Sequence, residues 1–205
     1  MKRIVCRQLP QLFLLCVVIF LTGCFSSTVS LHGVGLKKVD HRLTGVWFTS
    51  KQFHTQIYLH IVIDHEKNMR LIRVASPVSN RGERIQLDDF YIFPTKINNV
   101  YYMNLEFGNQ DGDKKAYARK YWFVKYQLTS PTVLKIWALR HSAIVRGIQA
   151  GHISGKAWLN GKQKRISLHS TREELVKWLA NTKGAVDWGV PQTYKRLNKA
   201  SYREY

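Results

Sequence analysis

From Gln56 to Ile63 the odd positions Ile57, Leu59, Ile61 and Ile63 are apolar, and the even ones read Gln56, Tyr58, His60 and Val62. A period of two predicts a strand with one wet face. Val100 to Phe107 repeats it, with Tyr101, Met103, Leu105 and Phe107 opposite Asn104 and Glu106. Tyr121 to Leu128 sets Trp122, Val124, Tyr126 and Leu128 against Lys125 and Gln127. Further strands are expected over 45–50, 69–75, 85–93, 132–139, 154–159, 163–169 and 194–197. Thr129-Ser130-Pro131 is an expected turn, and Asn160-Gly161 supplies the positive φ of a two-residue hairpin. Two short helices break the pattern. Ser142 to Ala150 puts Ile144 and Ile148 four apart and stops before Gly151; Thr171 to Ala180 places Leu175, Trp178 and Leu179 on one face, with Ser170 and Glu173 at capping-box spacing. The expected fold is mainly β, an antiparallel up-and-down barrel of about eight to ten strands with two short helices late in the chain; closure removes unpaired edges.

The N-terminus follows a different pattern. Lys2, Arg3 and Arg7 precede an unbroken apolar run from Leu12 to Leu21, the layout of a secretory signal and about half the length a spanning helix needs. All three cysteines, Cys6, Cys16 and Cys24, fall at or before the end of that segment. Leu21-Thr22-Gly23-Cys24 resembles the lipobox of bacterial lipoproteins. The resemblance implies cleavage between Gly23 and Cys24 and diacylglycerol attachment to the Cys24 thiol, and acylation would account for the single cysteine left after cleavage. The expected organisation is a signal peptide over 1–23, a lipidated Cys24 and flexible tether over 24–38, and one β-barrel domain over 39–205. The location implied is the bacterial cell envelope, with the chain lipid-anchored there. In a Gram-negative host, Phe25 after the lipidated position implies the outer membrane, facing the periplasm.

Charge adds a partner class. The chain has 32 Lys+Arg against 13 Asp+Glu, a formal net charge of +19, and such a field attracts anionic lipid or envelope polymer. Lys114, Lys115, Arg119, Lys120 and Lys125 interleave with Tyr117, Tyr121, Trp122 and Tyr126. Bases beside aromatics suit a head-group layer, and also suit single-stranded nucleic acid, which an exported compartment disfavours.

Leu43-Thr44-Gly45-Val46-Trp47 on the first strand resembles the Gly-x-Trp opening of lipocalins and related small bacterial lipocalin-like lipoproteins. Tyr194-Lys195-Arg196-Leu197 resembles the last strand of that group, in which an Arg crosses the Trp. The resemblance implies that Trp47 and Arg196 close the barrel base, a guanidinium on an indole gaining roughly 0.5–2 kcal/mol.

Catalytic and metal chemistry find little footing. There is no Gly-x-Ser-x-Gly elbow, and adjacent Asp88 and Asp89 point to opposite faces of a strand. His54 and His60 on one strand stand about 20 Å apart, too far to share an ion. Asn109-x-Asp111-x-Asp113 opens like a calcium loop, but Lys114 and Lys120 replace the glycine and the bidentate glutamate it needs. No cofactor and no enzymatic activity are expected. Two readings remain: a tethered, non-catalytic module holding a small apolar or amphipathic ligand in the barrel, with Tyr58, Tyr102, Trp122 and Trp137 as candidate lining, or an envelope interaction protein with a basic surface and a solid core. An interior void of several hundred Å³ separates them.

Overall fold

The computed structural model describes residues 25–31, 39–52, 55–64, 66, 69–77, 85–107, 120–160, 163–181 and 187–198. Their strands are β1 (Phe25–Ser27), β2 (Gly45–Gln52), β3 (Thr55–Ile63), β4 (Met69–Pro77), β5 (Gln86–Ile97), β6 (Val100–Phe107), β7 (Tyr121–Ser130), β8 (Val133–Ala138), β9 (Gly155–Asn160), β10 (Gln163–Leu168) and β11 (Gln192–Arg196). The helices are α1 (His141–Gln149) and α2 (Arg172–Asn181). Strands β2 to β8 run up and down as sequential antiparallel neighbours, and β11 pairs with both β8 and β2 to close an eight-strand barrel. Every alternating segment of the sequence is one of these strands. The β5–β6 connection is tighter than composition suggested: Asn98 and Asn99 both take positive φ, 46° and 64°, the hairpin geometry that asparagine tolerates.

The period of two has a definite inward phase. Ile57, Leu59 and Ile61 of β3, Leu71 of β4, Ile92 of β5, Met103 of β6 and Tyr126 of β7 pack inside the barrel. A second core lies outside it. Ile97, Tyr102 and Phe123 on the outer face of β5–β7 are covered by β1 and the residues after it, β10, α1 and α2 through Phe25, Leu31, Ile144, Ile166, Leu168 and Trp178. The expected wet face of β6 is therefore dry at its centre, and Asn104 there is fully buried. β9 and β10 leave the barrel wall: β10 pairs with β9 and, in parallel, with β1, whose Ser27 bridges to Tyr121 of β7.

This arrangement corrects the expected tether. Residues 25–31 are built into the fold: Phe25 pairs with Ile166, and fully buried Leu31 donates its amide to Asn104 Oδ1 at 2.9 Å while its carbonyl accepts from Thr95 Oγ1 at 3.3 Å. An exposed apolar outer face on β5–β7 needs a cover, and this segment supplies part of it. Cys24 and residues 32–38 lie outside the described residues. The capping box of α2 sits one residue later than expected. Thr171 Oγ1 accepts from the Glu174 amide at 3.2 Å and Glu174 Oε2 accepts from the Thr171 amide at 2.9 Å. Ser170 is instead buried and bonded to both backbone groups of Ser154, joining β10 to the start of β9. Among the described residues no helix is long and apolar enough to cross a membrane.

Candidate functional site

The two ends of the barrel differ. At one end Trp47 is fully buried and donates Nε1–H to the Leu43 carbonyl at 2.7 Å. The Arg196 guanidinium lies 4.4 Å from the Trp47 ring centroid and donates to the Arg42 carbonyl. Gly45, two residues before the tryptophan, has φ +125°, a conformation an L side chain rarely adopts. Asp40 beside them accepts from Arg42 Nε and Nη2, both at 2.8 Å, and from Tyr126 OH at 2.9 Å. Burial would raise the Asp40 pKa, but these donors outweigh it and hold the carboxyl below the ordinary value of 3.8. Tyr126 is pushed up in turn by burial and by the Asp40 charge. This end is sealed.

The other end opens into a cavity of about 620 Å³. Its walls are apolar, with Leu59, Leu71, Phe90, Met103, Val124 and Ile136 from five inward-facing strands and the barrel's β8. Trp122 stands among them, its ring 6.0 Å from Phe90. Into this lining β4 projects Arg73, only 9% exposed, whose Nη1 lies 2.5 Å from Asp88 Oδ2 on β5. Among the described residues its Nε is buried with no hydrogen-bond partner. Removing two charges from water offsets most of their attraction, so such a pair adds little net stability. What it adds is a polar point inside an apolar chamber, joined by Tyr194, which donates to Gln192 Oε1 at 2.6 Å and whose phenol burial raises in pKa. At the rim the lining passes to Phe25 and Ser26 of β1, exposed Lys120, and Trp158 and Arg165 of β9 and β10.

Of the four aromatics expected to line the barrel, Trp122 does so and three do not. The pleat decides it. Tyr58 is in the outward phase of β3, its ring 4.9 Å from Phe48 of β2. Tyr102 points into the outer core, 5.9 Å from Trp188, and burial lifts its pKa to about 12. Trp137 is paired in register with Lys125 and lies outside as well. Lys125, expected on an anionic contact surface, has its ammonium 4.4 Å from the Trp137 ring and 5.6 Å from that of Trp188, and burial lowers its pKa. It packs on these two indoles. Lys114, Lys115 and Arg119 lie outside the described residues, as does the stretch Asn109 to Asp113, and Lys120 is on the rim. Among the described residues no group of three or more His, Cys, Asp or Glu side chains is placed to hold a metal ion.

Sequence reading missed Arg73 and Phe25. The signal for Arg73 was present: Met69, Leu71, Arg73 and Ala75 share one phase of β4, so a charge interrupts an apolar face. Phe25 gave no such signal, because nothing local pairs it with Ile166. Comparison with the known protein families, the curated proteins and the solved structures returns no match.

Proposed function

We infer that this chain is a lipid-anchored envelope lipoprotein acting as a non-catalytic binding module, whose barrel holds a small apolar or amphipathic ligand. The cavity carries the reading. About 620 Å³ enclosed by aliphatic and aromatic side chains, with Arg73, Asp88 and Tyr194 as a few converging polar groups, has the size and chemistry of a small-molecule site. A solid-cored interaction protein would have continuous packing there. The anchor is carried by Leu21-Thr22-Gly23-Cys24, and the likeness to lipocalin-like lipoproteins by Gly45, Trp47 and Arg196.

The test has three arms. Native mass spectrometry of protein purified from its own membranes is expected to show acyl mass on Cys24 and a retained small molecule. Ile136→Trp, which narrows the cavity from one wall, is expected to abolish uptake of an apolar fluorescent probe while the far-ultraviolet spectrum stays unchanged. Undiminished uptake in Ile136→Trp would place the probe elsewhere and end the cavity reading. Cys24→Ala is expected to move the protein from the membrane to the soluble fraction, and retention on the membrane would refute lipidation as the anchor.

A further inference from the structure

Among the described residues, four large apolar side chains stand out in solvent: Ile85 at 65%, Leu87 at 57%, Trp158 at 48% and Val190 at 77%. Single exposed apolar residues are ordinary. These four are not scattered. Ile85 and Leu87 flank Gln86 where β5 begins, Val190 lies two residues before β11, whose Gln192 lines the cavity, and Trp158 is itself in the lining. All belong to the open end of the barrel. Lys120 and Arg165, both exposed, are on the same rim. Exposed apolar side chains spaced round one rim, a tryptophan among them, with exposed bases on the same rim, have the chemistry of a head-group layer, where the indole sits at the boundary and the bases meet phosphates.

A separate observation bears on where an anchor would begin. Phe25 and Ser26 line the cavity, and β1 is held in place by β10 and β7. Cys24, outside the described residues, is bonded directly to Phe25. An acyl chain on Cys24 would therefore start within one residue of a side chain that lines the cavity.

We propose that the open end of the barrel docks on an anionic lipid bilayer, with Ile85, Leu87, Trp158 and Val190 entering the head-group layer and Lys120 and Arg165 on lipid phosphates, so that the cavity opens onto the leaflet. The proposal deepens the carrier reading and rests on it for the use of the cavity, while docking is measurable without either ligand or anchor. A ligand reaching the chamber by this route need not cross water, and its chemical class is a membrane amphiphile.

The experiment uses a chain beginning at residue 24 with Cys24→Ser, which keeps every described residue and contains no cysteine, since Cys6 and Cys16 precede it. Single cysteines carrying an environment-sensitive nitrobenzoxadiazole label are placed at Leu87→Cys on the rim and at Thr132→Cys, an exposed position on the β7–β8 turn at the sealed end. Vesicles of phosphatidylcholine with a minor share of phosphatidylglycerol are then added. The label at 87 is expected to shift to the blue and brighten severalfold, with no change at 132. Ile85→Ser with Trp158→Ser, both exposed and checked for folding by circular dichroism, is expected to weaken vesicle binding by about tenfold, and added salt to weaken it further. Equal responses at the two positions, or none at 87, overturn the docking. If the label at 87 responds and no lipid probe enters the chain, docking stands and the carrier reading fails. Where a fluorescent fatty acid does enter, its transfer rate is expected to rise with vesicle concentration; a rate independent of that concentration means delivery through water and overturns direct opening onto the leaflet.

Discussion

Replacing Asn104 with leucine tests whether the segment after residue 24 belongs to the fold. Asn104 is fully buried between the barrel wall and residues 29–31. Its Oδ1 accepts the Leu31 amide at 2.9 Å, and its Nδ2 donates to the Phe93 carbonyl and to Thr95 Oγ1, both at 3.0 Å. Leucine has a similar size and accepts nothing. The Leu31 N–H is then buried without an acceptor, at a cost of about 1–3 kcal/mol, and the two donated bonds are worth about 1 kcal/mol each. Greater apolar burial by leucine returns about 1 kcal/mol. The expected loss is about 2–4 kcal/mol, a large part of the 5–15 kcal/mol typical of a domain. Urea unfolding reads it as a lower midpoint at unchanged slope. The loss has a location as well: amide hydrogen exchange is expected to accelerate in residues 25–31 before it does in β3 or β4. Thr95→Val, which removes the 3.3 Å bond to the Leu31 carbonyl and one acceptor for Asn104, is expected to cost about half as much. A loss below about 1 kcal/mol in Asn104→Leu, or unchanged exchange over 25–31, would refute the view that this network pins the N-terminal segment.

Three further outcomes follow from the sealed end. Asp40 has its pKa below 3.8, so the stability it contributes is fully present above that value and is lost as pH falls through the lower folded value. The difference in urea midpoint between the parent and Asp40→Asn is therefore expected to be constant at neutral pH and to shrink in acid below about pH 4; a difference that widened in acid would reverse the sign of the argument. Gly45→Ala meets no crowding, its Cβ standing 3.9 Å from Arg196 Nε, yet φ +125° should cost about 1–3 kcal/mol by thermal unfolding, and a neutral result would show that the backbone there relaxes. Arg196→Met keeps apolar cover over Trp47 but removes the cation and the bond to the Arg42 carbonyl. An expected loss of about 1–3 kcal/mol, with a changed near-ultraviolet tryptophan signal, checks it.

The sequence by itself determined the strands, because side-chain alternation reports the pleat directly: Ile57 to Ile63, Tyr101 to Leu105 and Trp122 to Leu128 each carry one apolar phase, and each is the inward phase of a barrel strand. It also marked the base, since Gly45, Trp47 and Arg196 lie on strands that the register sets side by side, Arg196 opposite Trp47. Periodicity does not say what covers the other phase. Asn104 and Lys125 read as a wet face and Tyr102 as barrel lining, and only the tertiary structure places helices and β1 over that side, because the cover comes from elements later in the chain than the strands they cover or from before the barrel begins. The same limit hid the chamber. Arg73 meets Asp88 through a pairing between strands, and Phe25 reaches the rim through a parallel pairing with Ile166, 141 residues on. Local spacing encodes local geometry; which surfaces meet, and where a void is left between them, is decided by how the closed sheet and its outer layer pack.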